Sequence, residues 1–124
     1  MSEFSVSIKE STMELTPKMR VMLKDYSNAI RLDEAANETG CIINPKDYAI
    51  LSVHNEKSDN PDYDLYLIID TEGTKYVTGS NSFWNAFMDI YNELKDCNEN
   101  WSIEVYKRDS KNYKGKQFLT CSVV

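Results

Sequence analysis

The chain has 124 residues, of which 41% are hydrophobic and 27% charged, and its formal net charge is −6. This length suits one domain with one core, and the composition is ordinary for a soluble globular protein. No apolar run approaches the roughly 20 residues that span a bilayer, and the start MSEFSVSIKE lacks the basic and apolar segments of a signal peptide. These features exclude a globally basic nucleic-acid binder and predict a cytoplasmic protein without a membrane partner.

Positive charge is concentrated late in the chain. Residues 101–124 contain five Lys or Arg against two Asp or Glu, whereas residues 41–79 contain three against seven. Salt screens exposed charges beyond about 8–10 Å, so a local basic surface can exist on an acidic protein. The segment KRDSKNYKGK is therefore a candidate binding loop.

The cysteines and the histidine do not form a metal motif. Cys41, Cys97 and Cys121 are widely spaced, no pair has the CxxC spacing, and His54 is the one histidine. A structural zinc site needs about four such ligands grouped in the sequence. We therefore expect reduced cysteines, no metal site and no cofactor.

Residues 1–40 are predicted to form an N-terminal extension that is helical or irregular. SVSIKES could form a short strand. Thr16 and Pro17 are typical of a helix start, with a hydroxyl cap before a proline at the first helical position. Apolar residues then recur at helical spacing, at Met19, Met22, Leu23 and Tyr26. The helix either continues to Gly40 or breaks at Ser27-Asn28.

Three strands are predicted next. YAILSVH (residues 48–54) and DLYLIID (residues 64–70) are rich in β-branched and aromatic residues. The polar loop between them has Asn60-Pro61 as its turn. DTEGTKY predicts a tight turn in which Gly73 can take a positive φ. A third strand then ends at Gly79.

The hydrophobic period changes from two to 3.6 residues after Gly79. Asn81 or Ser82 can cap a helix there. Its apolar face comprises Phe83, Trp84, Phe87, Ile90, Tyr91 and Leu94. WSIEVYKR and KQFLTCSVV predict two final strands, which the basic loop joins.

The order strand, strand, strand, helix, strand, strand is typical of the OB-fold, a small five-stranded barrel with its helix between strands three and four. An α+β domain with an open sheet would give a similar order, so that alternative stays open. The predicted fold class is mainly β with α. An OB-like domain at residues 41–124 follows the extension at residues 1–40.

In three segments the chain resembles the small single-stranded-DNA-binding proteins of phages and plasmids of Gram-positive bacteria. They are the hairpin DTEGTKYVTGS, the helix SFWNAFMDIYNEL and the final SKNYKGKQFLTCSVV, and the resemblance covers roughly Tyr48 to Val124. It implies an OB-fold and a non-catalytic function. That function would be binding of single-stranded DNA, without strong sequence preference, in phage or plasmid replication or recombination.

Candidate DNA-binding residues follow from the element order. OB-folds bind single strands with the loops between strands one and two and between strands four and five, and the basic loop has the second of these positions. Each phosphate that a cation neutralises releases a counterion. The candidate cations are Lys107, Arg108, Lys111, Lys114 and Lys116.

Aromatic residues near this loop could stack on bases, for about 1–3 kcal/mol per base. Tyr113 lies within the loop. Strand alternation turns Tyr106 and Phe118 outward if Ile103 and Leu119 face the core. Tyr66 and Tyr76 of the earlier hairpin complete the set. A lysine-rich hairpin tip also serves to block edge pairing, and Glu104 on the same face counts against DNA binding.

Catalysis is not indicated. The chain has no P-loop, GxGxxG, GxSxG or HExxH motif, so we expect no enzyme activity. His54 lies at the end of a predicted strand without a partner motif in the sequence. We interpret it as a solvated histidine and not as a general base. The acidic group Asp59, Asp62 and Asp64 lacks the glycine and the distal glutamate of a calcium loop, and we interpret it as a solvated loop.

A second class of function fits the acidic charge. Residues 41–100 carry four Lys or Arg against eleven Asp or Glu. Such a surface could bind a protein partner or inhibit a host nucleic-acid enzyme by imitating the charge of DNA. The amphipathic segment from Pro17 could also join two copies of the chain. Reversing the basic loop should abolish DNA binding but leave an acidic mimic intact.

Overall fold

A computed structural model of the chain describes residues 4–36, 40–57, 61–97, 100–109 and 117–124. The chain forms two compact units. The first comprises residues 1–30 and 46–79, and the second comprises residues 31–45 and 80–124. Each unit includes residues from both sides of position 40, the boundary expected from the sequence.

Eight strands and three helices are assigned within these residues. In chain order they are β1 Phe4–Ser11, α1 Pro17–Lys24, β2 Ile30–Arg31, α2 Leu32–Ala35, β3 Cys41–Ile43, β4 Pro45–Asn55, β5 Asp62–Asp70, β6 Lys75–Thr78, α3 Asn81–Leu94, β7 Ile103–Asp109 and β8 Gln117–Val123. The fold is mainly β with some helix, as expected.

The first unit is built on a sheet with the strand order β1-β4-β5-β6-β2. One face carries a core of fully or nearly fully buried side chains: Leu23, Ala49, Leu51, Leu67, Ile69 and Val77. Alternate residues of the central strands supply this face, as the period of two requires. Leu23 of α1 reaches the same core and is 2% exposed, so α1 packs on the sheet.

Helix α1 begins as the sequence predicts. The Thr16 hydroxyl accepts a hydrogen bond from the Met19 N–H, and Pro17 is at the first helical position. The helix ends at Lys24, and a turn follows at Ser27 and Asn28. Of the two alternatives for this segment, the break is therefore correct.

The β5–β6 turn also has the predicted geometry. Gly73 has a φ of 90°, a conformation that residues with a Cβ rarely adopt. The Asp70 carboxylate accepts hydrogen bonds from the backbone N–H groups of Glu72 and Thr74, at 2.9 and 2.8 Å. These two bonds and the Gly73 conformation set the register of the hairpin, in which Leu67 lies opposite Val77.

The second unit pairs helix α3 with a sheet of order β3-β7-β8. The Ser80 hydroxyl caps α3 by accepting from the Phe83 N–H, so the cap precedes both predicted positions, Asn81 and Ser82. Phe83, Trp84 and Phe87 are buried. Helix α3 contacts β8, and the Ser82 hydroxyl donates to the Leu119 carbonyl oxygen.

The predicted five-stranded barrel is corrected by the strand pairing. The order of elements from β4 to β8 is the predicted one, but these strands lie in two sheets that do not close into a barrel. A strand has two edges. Those of β4 are paired with β1 and β5, those of β6 with β5 and β2, and those of β7 with β3 and β8. Strands β1, β2 and β3 thus occupy the edges that closure would need.

The described residues include no helix with the length and apolar character to cross a membrane.

Candidate nucleic-acid interface

The sheet of the second unit has one buried face and one more open face. Ile103, Val105, Leu119 and Cys121 are buried, as the predicted alternation requires. Glu104, Tyr106 and Arg108 of β7 lie on the other face. Their cross-strand partners on β8 are Ser122, Thr120 and Phe118. Ile42 of β3 lies opposite Glu104. We call these seven residues the open face.

Tyr106 is held in place on the open face. Its hydroxyl lies 2.7 Å from the Ser122 hydroxyl, a diagonal neighbour on β8. This bond directs the Tyr106 side chain toward Ser122 and leaves the tyrosine half-buried. A fixed aromatic ring loses little conformational entropy when a base stacks on it, so this arrangement favours stacking.

Arg108 and Phe118 form a cross-strand pair beside Tyr106. They lie directly opposite each other in the β7–β8 register. Phe118 is 38% exposed, and Arg108 is exposed without an ion pair to any residue in the described part of the chain. A guanidinium next to an exposed ring can contact a phosphate while the ring stacks on the attached base.

Most of the basic loop lies outside the described residues. Lys111, Tyr113, Lys114 and Lys116 fall in the segment 110–116, about which the structure says nothing. The two strand ends that lead into it are described. Asp109 lies opposite Gln117, whose side-chain amide donates to the Asp109 carboxylate at 3.3 Å.

Lys107 has a different orientation from Arg108. It lies opposite Leu119 on the buried side of the strand alternation and is half-buried. Its ammonium group can still reach the strand margin because a lysine stem is long. Of these two cations, Arg108 is the one that strand alternation places on the open face with Tyr106 and Phe118.

Tyr66 and Tyr76 belong to the first unit, whereas the residues of the open face belong to the second. Tyr66 is 9% exposed, and burial raises the pKa of its hydroxyl. Tyr76 is half-buried and lies opposite Ile68. The expectation that Tyr66 offers a stacking surface overlooked the fact that β5 is buried on both faces from Tyr66 to Asp70. Tyr66 therefore has no ring face open to a base. The role of Tyr76, on β6, stays a prediction.

The sequence analysis missed Ile42 and the bond between Tyr106 and Ser122. Ile42 is 62% exposed, and it lies on β3, whose three residues are too few to show a period of two. Alternation turns Ser122 to the same side as Phe118, but its bond to Tyr106 depends on the register of the hairpin. Glu104 is also on this face, and its side chain lies over Gly40, where a Cβ would clash with it.

His54 contacts two carboxylates. Its Nδ1 lies 2.6 Å from an Asp62 oxygen and its Nε2 lies 3.5 Å from a Glu56 oxygen, at the end of the β4–β5 hairpin. These two bonds occupy both ring nitrogens, so neither is directed at a hydroxyl or thiol. The pKa of His54 is raised above 6.5, first by the hydrogen bond to Asp62 and then by that to Glu56.

This histidine should titrate above its ordinary pKa. Because its folded pKa is raised, the protonated form favours folding at low pH, and that contribution is lost as the pH rises through the folded pKa. The effect on stability is small because the ring is exposed. NMR of the single histidine should show a pKa above 6.5 that falls in Asp62→Asn. An unchanged pKa in this variant would contradict the ion pair.

Burial raises the pKa of two cysteine thiols, those of Cys121 and Cys41. Cys121 is buried, and burial raises the pKa of its thiol to about 12, so it stays protonated. Cys41 is half-buried, and burial also raises its pKa. In the ranges that the structure describes, no group of three or more His, Cys, Asp or Glu residues could hold a metal ion. Asp59 lies outside these ranges.

No protein-family model, no curated protein and no solved structure matches this chain.

Proposed function

We propose that the chain binds single-stranded DNA on the open face, without strong sequence preference and without catalysis. The observation that carries this proposal is the grouping of Tyr106, Phe118 and Arg108 on two paired strands. Two rings offer stacking surfaces to any base, because every base has a π-face, and the neighbouring guanidinium of Arg108 can contact the backbone. This combination favours binding that is tolerant of sequence.

The basic loop extends this interface in the proposal. Five Lys or Arg residues lie between positions 107 and 116, in a chain whose net charge is −6. A strand that lies across the open face would pass the start of this loop at Arg108. Several phosphate contacts there would make the affinity depend steeply on salt. The remaining acidic surface would repel bulk polyanions.

The proposal does not require a closed barrel. The order of elements from β4 to β8 is that of the OB-fold. We therefore also propose that the domain is OB-like. The binding surface itself is an open three-stranded sheet with one buried face. The biological setting that we propose, from the resemblance in the sequence, is replication or recombination of a phage or plasmid.

A competition experiment tests the preference for single strands. A fluorescent dT oligonucleotide bound to the protein should be displaced by unlabelled dT at least about tenfold more readily than by a duplex of equal length. Base faces are hidden in a duplex, so the stacking contribution of about 1–3 kcal/mol per base is lost. Equal displacement by the two competitors at physiological salt would contradict the proposal.

A further inference from the structure

Glu104 is the one acidic side chain among the seven residues of the open face. It is half-buried on the central strand of the sheet, between Ile42 on β3 and Ser122 on β8. In the described part of the chain its carboxylate has neither an ion pair nor a hydrogen-bond partner. Such a carboxylate repels phosphates. On a face that binds DNA it is favourable where it accepts hydrogen bonds from a base.

The Glu104 side chain lies over Gly40, just before β3. A Cβ at position 40 would overlap this side chain from its Cγ to its Oε2. Gly40 precedes Cys41, the partner of Val105, so the antiparallel register runs from there toward Tyr106. Glu104 therefore leans along the sheet toward Tyr106, on the β3 side of the central strand. The absence of a Cβ at Gly40 gives the carboxylate room there.

Tyr106 leans toward the other side of the same strand. Its hydroxyl lies 2.7 Å from that of Ser122, which is the cross-strand partner of Glu104 on β8. The ring and the carboxylate are thus neighbours on the open face. Residues two apart on one face of a strand are about 7 Å apart. The edge of a base that stacks on the Tyr106 ring therefore comes within reach of the carboxylate.

Guanine is the base whose edge matches a carboxylate. Its Watson–Crick edge has two adjacent donors, the N1–H and the N2 amino group, and a carboxylate has two acceptor oxygens. Adenine, cytosine and thymine each have an acceptor beside the donor on this edge, which a carboxylate repels. In a single strand the edge is free to be read.

We propose that Glu104 selects guanine at the position where a base stacks on Tyr106, and that Gly40 keeps its carboxylate in place. This inference rests on the proposed function, because it requires a base on the open face. It adds a preference at one position of the bound strand. The other contacts, which are the Phe118 ring and the Arg108 guanidinium, accept any nucleotide.

Fluorescence anisotropy with four dT oligonucleotides of one length tests this preference. One is unsubstituted, and the others have a single central dG, dA or dC, so that none forms a stable duplex or a quadruplex. The protein should bind the dG oligonucleotide at least about fivefold more tightly than the other three, the lower limit for a bidentate contact to a base. The dA oligonucleotide controls for the stronger stacking of purines. Equal affinity for all four would overturn this inference alone, whereas no binding to any would refute the proposed function as well.

Glu104→Gln keeps the size of the side chain and replaces one acceptor oxygen with an amino group. The preference for dG should fall below about twofold, and the affinity for unsubstituted dT should rise because a negative charge leaves the face. Glu93→Gln is the matched control, since it removes the same charge from an exposed position on α3 and should keep the preference. If Glu104→Gln strengthened binding of all four oligonucleotides by one factor, Glu104 would act by charge alone and the inference would be wrong.

Gly40→Ala tests the position of the carboxylate with its charge unchanged. Gly40 does not have a positive φ, so alanine can adopt its backbone conformation, and the added Cβ should displace the Glu104 side chain. The preference for dG should then be lost without the gain in affinity for dT. Circular dichroism verifies that each variant is folded. A folded Gly40→Ala protein that keeps the full preference would contradict the placement of Glu104.

Discussion

Replacing Phe87 with alanine should lower the free energy of unfolding by about 3–5 kcal/mol, the range for a buried phenylalanine truncated in a well-packed core. Phe87 is 1% exposed. Its ring lies 6.1 Å from that of Phe83, 5.1 Å from that of Trp84 and 5.9 Å from that of Tyr91, between ring centroids. The substitution removes one ring from the centre of this cluster and leaves a cavity.

The measurement is a urea unfolding curve, with Asn85→Ala as the control. Asn85 is exposed on the same helix, so its replacement tests for a general effect on α3 and should change the free energy by less than about 0.5 kcal/mol. A loss below about 1 kcal/mol for Phe87→Ala would mean that the aromatic cluster is not the core of the second unit. Loss of this aromatic core should also disturb the open face, because α3 contacts β8 and β8 carries Phe118.

Replacing Arg108 and Phe118 together with alanine should weaken binding of a dT oligonucleotide by about tenfold to a hundredfold or more. The lost ring accounts for about 1–3 kcal/mol of stacking. The lost guanidinium removes a phosphate contact, and each such contact to a single strand adds about 0.7 to the slope of log affinity on log salt. The two single variants should therefore differ in how strongly their affinity depends on salt.

The salt dependence separates the two contributions. Arg108→Ala should lower the slope by about 0.7, whereas Phe118→Ala should weaken binding without changing the slope. Lys95→Ala is the control, because it removes the same charge from an exposed position at the C-cap of α3. If Lys95→Ala weakened binding as much as Arg108→Ala, the effect would reflect net charge and not a site on the open face.

The elements that the sequence predicted well are those with strong local signals. Thr16 and Pro17 mark the start of α1, and Gly73 marks the β5–β6 turn. Of the six apolar residues expected on one face of α3, three are buried and three are half-buried. Each of these depends on residues close together in the chain, so propensity, capping and periodicity are enough. The alternation of β7 and β8 also predicted correctly that Ile103, Val105, Leu119 and Cys121 are buried, whereas Val123, expected on the same face, is 49% exposed.

The elements that the sequence missed are those defined by pairing. Strands β2 and β3 are two and three residues long and show no periodicity. Their existence depends on hydrogen bonds to β6 and β7, which lie far away in the sequence. Without these strands, the order strand, strand, strand, helix, strand, strand indicated a barrel. In the structure, β1, β2 and β3 pair with the edges of β4, β6 and β7 that closure of a barrel would need. Burial of Tyr66 was missed for a similar reason, since alternation alone does not show that a strand is covered on both faces.

The candidate site was predicted in part. The sequence placed Tyr106, Arg108 and Phe118 on one face of adjacent strands, and the register confirms this arrangement. The bond between Tyr106 and Ser122 depends on a diagonal contact that appears only once the register is known. The contribution of Lys111, Tyr113, Lys114 and Lys116 stays a prediction, because these residues lie outside those described.

The most direct test of the central claim is fluorescence anisotropy of a labelled dT oligonucleotide titrated with the protein at low and at physiological salt. We predict saturable binding that weakens steeply as salt increases, because phosphate contacts release counterions. The absence of binding even at low salt would contradict the account. The basic loop would then serve only as a soluble turn, and the acidic surface that favours a protein partner would become the better guide to function.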